Sequence, residues 1–511
     1  MIPGRTHTMW RGMLQMLAAM AAFAGVAAPA AAATPVVVGS KAFPESWILG
    51  AALTRQLERD GVPATHRRNL GGTDIVWQAL TSGGVDVYPE YTGTIAEVIL
   101  KTPGRTDPDA MRAALAAQGV GISAPIGFND GYAIAVTADA ARRDGLTRLS
   151  DLAAHPDLRL GLSHEFLGRA DGWPGLAKRY GLERLDPTGI QHELAYAALA
   201  AGRLDGTDIY TTDAEIADLH LVTLVDDRGF FPRYDAVWLY RLDLARRAPR
   251  ALAAIRALTG RIGEREMIHA NARVVLRKAD ENAAADSLLM ETLGAGASAG
   301  GEPGVAASIA RNTLQHLKLV GISLGLAIVL GVPFGVLATR SRALAQLTLS
   351  IAGLLQTVPS LALLAFLIPL LGIGAAPALV ALFLYSLLPI VRNTYVGLTT
   401  IPPALDEAAA ALGLSPRAQL LRVRLPMAMP AVMAGIKTSA VINVGTATLA
   451  ALVGAGGLGD PILTGIQLRR HALILQGAIP AAALALLVQA LFDALDRVVV
   501  PKGLRLRAEG S

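Results

Sequence analysis

Two patterns of apolar residues divide the chain near residue 290. From Val36 onward, short apolar runs alternate with amphipathic stretches. PVVVGS predicts a buried strand and SWILGAALTRQLERDG a helix stopped at Gly61. GGTDIVWQALTSGG predicts a second helix, leading into a strand around Val85 to Tyr88. LRLGLSHEF, a helix around His192 to Ala201, and DGTDIYTTD repeat the alternation. Such a pattern predicts an open α/β sheet with helices on both faces. A stretch of this length predicts two such lobes, with a ligand where loops converge at the carboxyl ends of strands.

Farther on, the apolar runs lengthen to the roughly 20 residues needed to cross a bilayer. Spans are expected near 317–338, 346–370, 376–398, 431–453 and 472–496, with Pro359, Pro369 and Pro377 placed to bend or interrupt the second and third. Glu291 to Ala310, with its Gly, Ala and Ser clusters, reads as a linker. At the other end, Arg5 and Arg11 precede an apolar run that turns Ala-rich, and Ala31 and Ala33 are small enough for signal-peptidase cleavage. The expected organisation is a signal segment 1–33, a soluble domain 34–290, a linker 291–310, a membrane domain of about five helices 311–500 and a tail 501–511.

Charge supports an orientation. With the soluble domain outside, an odd number of spans puts Arg340, Arg342, Arg417, Arg422, Arg424 and the tail's Lys502, Arg505 and Arg507 in the cytoplasm. Arg469 and Arg470 fall outside, against the trend. Gln356, Arg392, Asn393, Lys437 and Asn443 lie within spans and are expected to face protein, water or the interface.

Composition sharpens what the chain does not do. Of 511 residues, 52% are hydrophobic and 17% charged, for a net charge of +5, and the arginines sit beside apolar runs rather than in one block. That distribution argues for membrane orientation over nucleic-acid binding. The lack of cysteine excludes disulfides, thiolate metal sites and cysteine nucleophiles. The nine histidines form no HExxH or other clustered metal pattern, and no catalytic triad spacing stands out. There is no G-x-x-x-x-G-K-[ST], so ATP hydrolysis is not expected of this chain. GAGGLG at Gly454 to Gly459 formally fits a dinucleotide fingerprint but follows a span instead of a strand, and reads as a tight turn.

Two features carry candidate function. Eight of the 10 tyrosines lie before residue 290, and Tyr91, Tyr132, Tyr210 and Tyr234 each adjoin turn-like residues. Taken singly each is a packing residue; converging at a cleft, they suit a quaternary ammonium, which has no N–H to donate but is attracted to aromatic faces. The second feature is Glu407 to Pro426, between two apolar runs. Pro402 and Pro403 open a short helix that Gly413 closes in the left-handed conformation. Ser415 caps a second, with Pro416 next and Pro426 as its limit. Leu405, Ala409 and Leu412 share one face; Ala418, Leu421 and Leu425 share another.

Glu407-Ala408-Ala409, Gly413 six residues after the Glu, Val423 and Leu425-Pro426 resemble the EAA loop of ABC-importer permeases, with Val423 in place of the common Ile. GSKAFPES, GGTDIVWQAL, VDVYPEYTGT, GFNDGYA and FLGRADGW resemble the quaternary-amine binding proteins of osmoprotectant ABC importers, the glycine betaine, choline and carnitine group. The first likeness covers about 311–500 and the second most of 36–285. Together they imply a two-lobed, type II-like α/β periplasmic binding protein followed by an all-α permease. The resemblance makes Tyr91, Tyr132, Tyr210 and Tyr234 the cage, Lys41, Thr94 and Arg169 the holders of a ligand carboxylate, and Asp130 a polar group at the cage rim. It implies a bacterial inner-membrane protein with its binding domain in the periplasm, a homodimer of the permease domain and a cytoplasmic ABC ATPase docked on the loop. No cofactor or metal is expected on this chain; ATP and Mg belong to the ATPase. KAFPES stands where the family commonly has Lys-Asn-Phe-Thr-Glu-Gln, and Asp130-Gly131 where it has Asn-Thr or Asp-Thr, which leaves the ligand open. A betaine such as ergothioneine is an alternative cargo. A ligand sensor that transports nothing is another alternative, against which the EAA-like loop argues.

Overall fold

The computed structural model describes residues 34–102, 107–294 and 304–500. The expected signal segment and tail lie outside the described residues. The chain folds as two compact units, one built mainly from residues 34–294 and the other mainly from residues 304–500.

The N-terminal unit contains two five-stranded sheets. The first has the order β2-β1-β3-β10-β4, from Ala64–Arg67, Val36–Gly39, Val87–Tyr91, Ala236–Arg241 and Val120–Ile122. The second has the order β7-β6-β8-β5-β9, from Thr188–Ile190, Leu160–Ser163, Gly206–Tyr210, Tyr132–Val136 and Val222–Thr223. β1 runs parallel to β2 and β3, and β6 parallel to β7 and β8, as helical crossovers require. β10 lies antiparallel between β3 and β4, and β5 antiparallel to β8. The chain therefore passes between the sheets twice, after β4 and after β9. The two passing segments are tied together: Tyr234 N–H donates to Asn129 Oδ1 at 2.8 Å and Asp130 N–H to the Tyr234 carbonyl at 3.0 Å. This is the two-lobed α/β architecture expected. The strand read at Val85 to Tyr88 runs Val87–Tyr91 instead, and its continuation makes Tyr91 the strand's last residue.

Helix placement follows local chemistry. Pro44 opens Pro44–Arg59, where its missing N–H costs nothing, and Gly61 follows the helix at φ +73°. Trp47 on that helix is fully buried; its Nε1–H donates to the Lys41 carbonyl at 2.7 Å, while Ser46 Oγ accepts from the Lys41 N–H at 2.8 Å. These two bonds set the path of the loop from Ser40 to Phe43.

The C-terminal unit is helical: Val305–Ala338, Arg342–Thr357, Ser360–Leu371, Ala375–Thr399, a loop region, Leu425–Thr446 and His471–Val499. Among the described residues, four helices are long and apolar enough to cross a membrane, or five if the bent pair is one span. The span expected at 346–370 is this pair, and its halves meet at 97°. Val358 is extended, at φ −63° and ψ 125°, because the residue before a proline is pushed out of the helical region, and Pro359 starts the new direction. Tyr385 Oη, donating to the Val358 carbonyl at 2.5 Å, secures the bend. Pro377 interrupts nothing, since it falls in the first turn of Ala375–Thr399. The linker expected at 291–310 is trimmed at both ends by Glu281–Leu293 and Val305–Ala338.

Small residues let the helices approach closely. A Cβ on Gly335 would stand 2.5 Å from Thr394 Cβ, and one on Gly331 2.9 Å from Ile390 Cγ2. Buried polar groups are matched across helices: Asn443 Nδ2 donates to Ser323 Oγ at 2.8 Å and Ser439 Oγ to the Ser386 carbonyl at 2.8 Å. Lys437 pairs with Asp493 of the last helix. In the GAGGLG stretch, Gly454, Gly456 and Gly457 have φ of +70°, +72° and +87°. Leu458 N–H there donates to His316 Nδ1 at 3.3 Å, and Gln315 donates to the Ala455 carbonyl at 2.7 Å, so the stretch is a turn packed on a helix.

Candidate ligand site and coupling loop

The four tyrosines come together at strand ends. Tyr132 opens β5 and faces Tyr210, the last residue of β8, as its register partner. Their ring centroids lie 5.1 Å apart. Tyr234, just before β10, meets Tyr132 edge-on at 5.7 Å. Tyr91, which ends β3, joins the group through Phe43, whose centroid is 6.3 Å from Tyr91 and 5.7 Å from Tyr210. Phe166 backs Tyr132 at 5.1 Å. Phe43 and Phe166 both sit inside stretches that carry the family likeness, KAFPES and FLGRADGW, yet neither was singled out from the sequence.

The basic residues flank these rings, each already held by an acid. Lys41 Nζ is 5.5 Å from the Tyr91 centroid and 2.5 Å from Glu90 Oε1, with both side chains buried. The Arg169 guanidinium lies 5.4 Å from the Tyr132 centroid. It grips Asp171 with two bonds, 2.8 Å from Nε and 2.5 Å from Nη2, and reaches Glu165 at 3.2 Å and Thr94 Oγ1 at 3.4 Å. Burial pulls the guanidinium toward neutrality, but Asp171 outweighs it and holds the proton more firmly than in water. Tyr234 Oη also donates to Asp171, at 2.7 Å, so one carboxylate orients both the arginine and a cage ring. Thr94 and Arg169 are thus adjacent, while Lys41 is tied to a separate acid. The Arg-x-Asp spacing of Arg169 and Asp171 was a legible signal for one of these acids.

Asp130 lies in the segment between the sheets and is buried, 5% exposed. Its Oδ1 accepts from the Thr212 hydroxyl at 2.9 Å and from the Thr212 N–H at 3.3 Å. Burial, with the nearby charges of Glu45 and Asp213, pushes its carboxyl well above the usual range. His192 lies tilted against Tyr210, with centroids 4.5 Å apart, and contacts Asp213 Oδ2 at 3.0 Å. Burial alone would lower its pKa; Asp213 and Asp208 outweigh that and raise it well above the ordinary value. A cavity beside the rings is lined by Phe43, Glu45, Asp130, His192, Tyr210 and Asn271, among others. Its mixed aromatic and acidic lining suits a small cation.

The loop from Pro403 is built as its residues require. The first helix is Pro403–Ala411, with Ala409 buried and Glu407 and Ala408 exposed. Gly413 has φ +72°; its N–H donates to the Ala410 carbonyl at 2.9 Å and that of Leu414 to Ala409 at 3.2 Å, a Schellman ending. Ser415 caps the next helix by accepting from Ala418 N–H at 3.4 Å. Pro426 does not limit that helix. Pro416–Gln419 continues through a π-helical stretch, Leu420–Arg424, into Leu425–Thr446, where Pro426 occupies the first turn. The wider π turn removes the clash between a proline ring and the preceding helical carbonyls. Val423 lies in that π turn and Leu425 starts the long helix. Asp406, unnoticed in the sequence, makes a two-bond pair with Arg424 at 2.9 and 2.6 Å and clamps the loop's two arms. Leu412 is 81% exposed, and Leu405 and Leu421 of the same loop are exposed as well.

A sequence profile described as the substrate binding domain of ABC-type glycine betaine transport systems matches residues 34–291, half of the chain. The chain belongs to this family. A second profile, the binding-protein-dependent transport system inner membrane component, matches residues 331–503. Receptor and permease are therefore fused in one polypeptide of an osmoprotectant ABC importer. The osmoprotectant import permease protein OsmW of Salmonella typhimurium is 45% identical over 202 residues, 39% of this chain and 94% of that one. The choline transport system permease protein OpuBB of Bacillus subtilis is 42% identical over 193 residues, 38% of this chain and 89% of that one. A solved glycine betaine/carnitine/choline ABC transporter structure is 31% identical, covering 50% of this chain and 98% of that chain at a TM-score of 0.43. Membership of the permease family places the protein in the inner membrane and implies a cytoplasmic ATPase partner and a small ligand. The reading as a sensor without transport is not favoured.

Proposed function

We propose that the receptor domain captures a small quaternary amine of the glycine betaine, choline or carnitine kind and passes it to the permease domain of the same protein. The observation that carries this reading is the continuous set of rings Tyr91, Phe43, Tyr210, Tyr132 and Tyr234 at the ends of strands from both sheets. A trimethylammonium set against such faces gains about 0.5–2 kcal/mol per favourable contact. Thr94 and Arg169 supply the ligand's carboxylate end: of five guanidinium N–H groups, one is left after Asp171, Glu165 and Thr94 are served. Lys41 serves the same end, with its ammonium held by Glu90. Asp130 shapes the cage rim.

In this reading the receptor faces the periplasm and two copies of the permease domain line the pathway. Each presents Glu407, Ala408, Ala409, Gly413, Val423, Leu425 and Pro426 to a separate ATPase. The chain itself binds no cofactor; ATP and Mg are held by that partner. Tethering keeps the receptor at a high effective concentration near its own permease.

Reconstituted vesicles test the whole. The full chain with its cognate ATPase should accumulate labelled glycine betaine, choline or carnitine only when ATP is supplied on the ATPase side. Lack of ATP-dependent uptake for all three would sink the proposal. Glu407→Lys should abolish uptake while leaving ligand binding intact.

A further inference from the structure

Glu45 lies in the first turn of Pro44–Arg59 and belongs to no pair used so far. It is 4% exposed, and its carboxyl joins three separate parts of the receptor. Oε1 contacts the Tyr91 hydroxyl at 2.7 Å, at the end of a strand in the first sheet. Oε2 contacts the Thr212 hydroxyl at 2.5 Å, just past a strand of the second sheet, and Asn271 Nδ2 at 3.0 Å, on Glu264–Val275. The same Thr212 hydroxyl lies 2.9 Å from Asp130 Oδ1.

A threonine hydroxyl has a single proton to donate. It cannot donate to two ionised carboxylates at once. Both contacts are hydrogen bonds only when one carboxyl is protonated and donates to the hydroxyl oxygen, which in turn donates to the other. Two ionised carboxylates facing one hydroxyl in a buried site would also repel. We propose that Glu45 is a positioning residue for ligand recognition: with Thr212 and Asp130 it holds one shared proton that ties the two sheets and sets Tyr91, and a bound quaternary ammonium expels that proton to solvent. The inference rests on the functional reading above, because it needs a cation in the tyrosine cage.

The surroundings agree in sign. Burial raises the carboxyls of both Glu45 and Asp130, which favours a retained proton in the empty receptor. Asp213 adds negative charge to both and reinforces this. Glu193, Glu215 and His192 line the same cavity; Glu215 is paired with Arg469 at 3.1 Å, and a charged His192 opposes the acids. Lys41 is neutralised locally by Glu90, and Tyr91 stays protonated because burial and Glu45 raise its hydroxyl. A permanent cation placed among these groups stabilises the ionised pair. Binding then releases a proton, and affinity rises with pH by at most about tenfold per unit across the titration.

The test is titration calorimetry of the full-length protein in detergent with choline and glycine betaine, in two buffers of different ionisation enthalpy. The wild type is expected to release a fraction of a proton per ligand bound. Glu45→Gln and Asp130→Asn each replace one of the two acids by a neutral amide, so the remaining carboxylate can take the single Thr212 proton, and both variants should bind without proton release. Binding by the wild type with no buffer-dependent heat, or unchanged release in both Glu45→Gln and Asp130→Asn, overturns the inference alone. Failure of the wild type to bind either compound overturns the functional reading and this inference with it. Asp130→Asn keeps the test decisive if Glu45→Gln does not fold.

Discussion

Tyr132 is where the cage can be tested most cleanly. It contacts Tyr210 and Tyr234 on one side, Phe166 behind, and carries Arg169 over its face. Truncation to alanine would confound two effects, since removing a buried aromatic ring costs about 3–5 kcal/mol of stability on its own. Tyr132→Leu keeps an apolar side chain while removing the negatively charged ring face. The cation–π contribution lost is about 0.5–2 kcal/mol. At about 1.4 kcal/mol per factor of ten, this corresponds to about 2- to 30-fold weaker binding. Tyr132→Phe retains the ring and should stay within about twofold of wild type, because the hydroxyl adds little to the ring quadrupole. The assay is calorimetry of the full-length protein with choline and with its neutral isostere, in which a tert-butyl group replaces the trimethylammonium. Leu should weaken choline and leave the isostere almost unchanged. Equal losses for both, or no loss for choline, would refute attraction between a cation and this ring.

Three further outcomes follow from the geometry. Gly335→Leu drives side-chain atoms into Thr394, where even a Cβ would stand 2.5 Å away, and should cost about 1–3 kcal/mol in a detergent melt; Gly353→Ala, with open space around it, serves as the neutral control. His192→Gln should lose stability most at low pH. The folded-state pKa of His192 is raised, so its contribution is fully present below the unfolded value of about 6.5 and fades as pH climbs through the folded value. Melts across this range should show the gap between wild type and variant narrowing as pH rises; a widening gap contradicts the assignment. Asp406→Ala should barely move the melting temperature, because a half-exposed ion pair contributes about 1 kcal/mol or less. It should nevertheless reduce ligand-stimulated hydrolysis by the ATPase, and exchanging the charges at Asp406 and Arg424 should recover part of that loss.

Much of the architecture is legible along the chain because its causes are local. Gly413 ends a helix where it is expected, since the left-handed residue and the two closing hydrogen bonds involve only residues 409–414. Ser415 caps its helix for the same reason. The strand ends carrying Tyr132 and Tyr210 follow from turn residues beside apolar runs. Local reasoning fails where a neighbouring element changes the outcome. Pro426 looks like a stop, yet the π turn before it lets the helix continue. The 346–370 stretch, by contrast, bends at Pro359 as its sequence predicts, and Tyr385 from another helix secures the break.

The site divides along the same line. Residue types and family-like spacing single out four tyrosines, Lys41, Thr94, Asp130 and Arg169, and the acid partner of Arg169 stands two residues away. Folding decided which other acids meet them. Glu90 reaches Lys41 across 49 positions, and Glu45 reaches Thr212 across 167. No periodicity encodes such pairs: the first arises because β1 and β3 are neighbours in one sheet, and the second because a residue of the first sheet's side meets the segment after β8 of the other. Burial there makes each unpaired charge costly, so Lys41 and Arg169 are each matched by an acid and the carboxyls of Glu45 and Asp130 are raised. Sequence therefore determined that a tyrosine-rich receptor domain is joined to a permease domain with an EAA-like loop. Tertiary structure decided the protonation and pairing that tune its cage, because those depend on distance and dielectric rather than on neighbours in the chain.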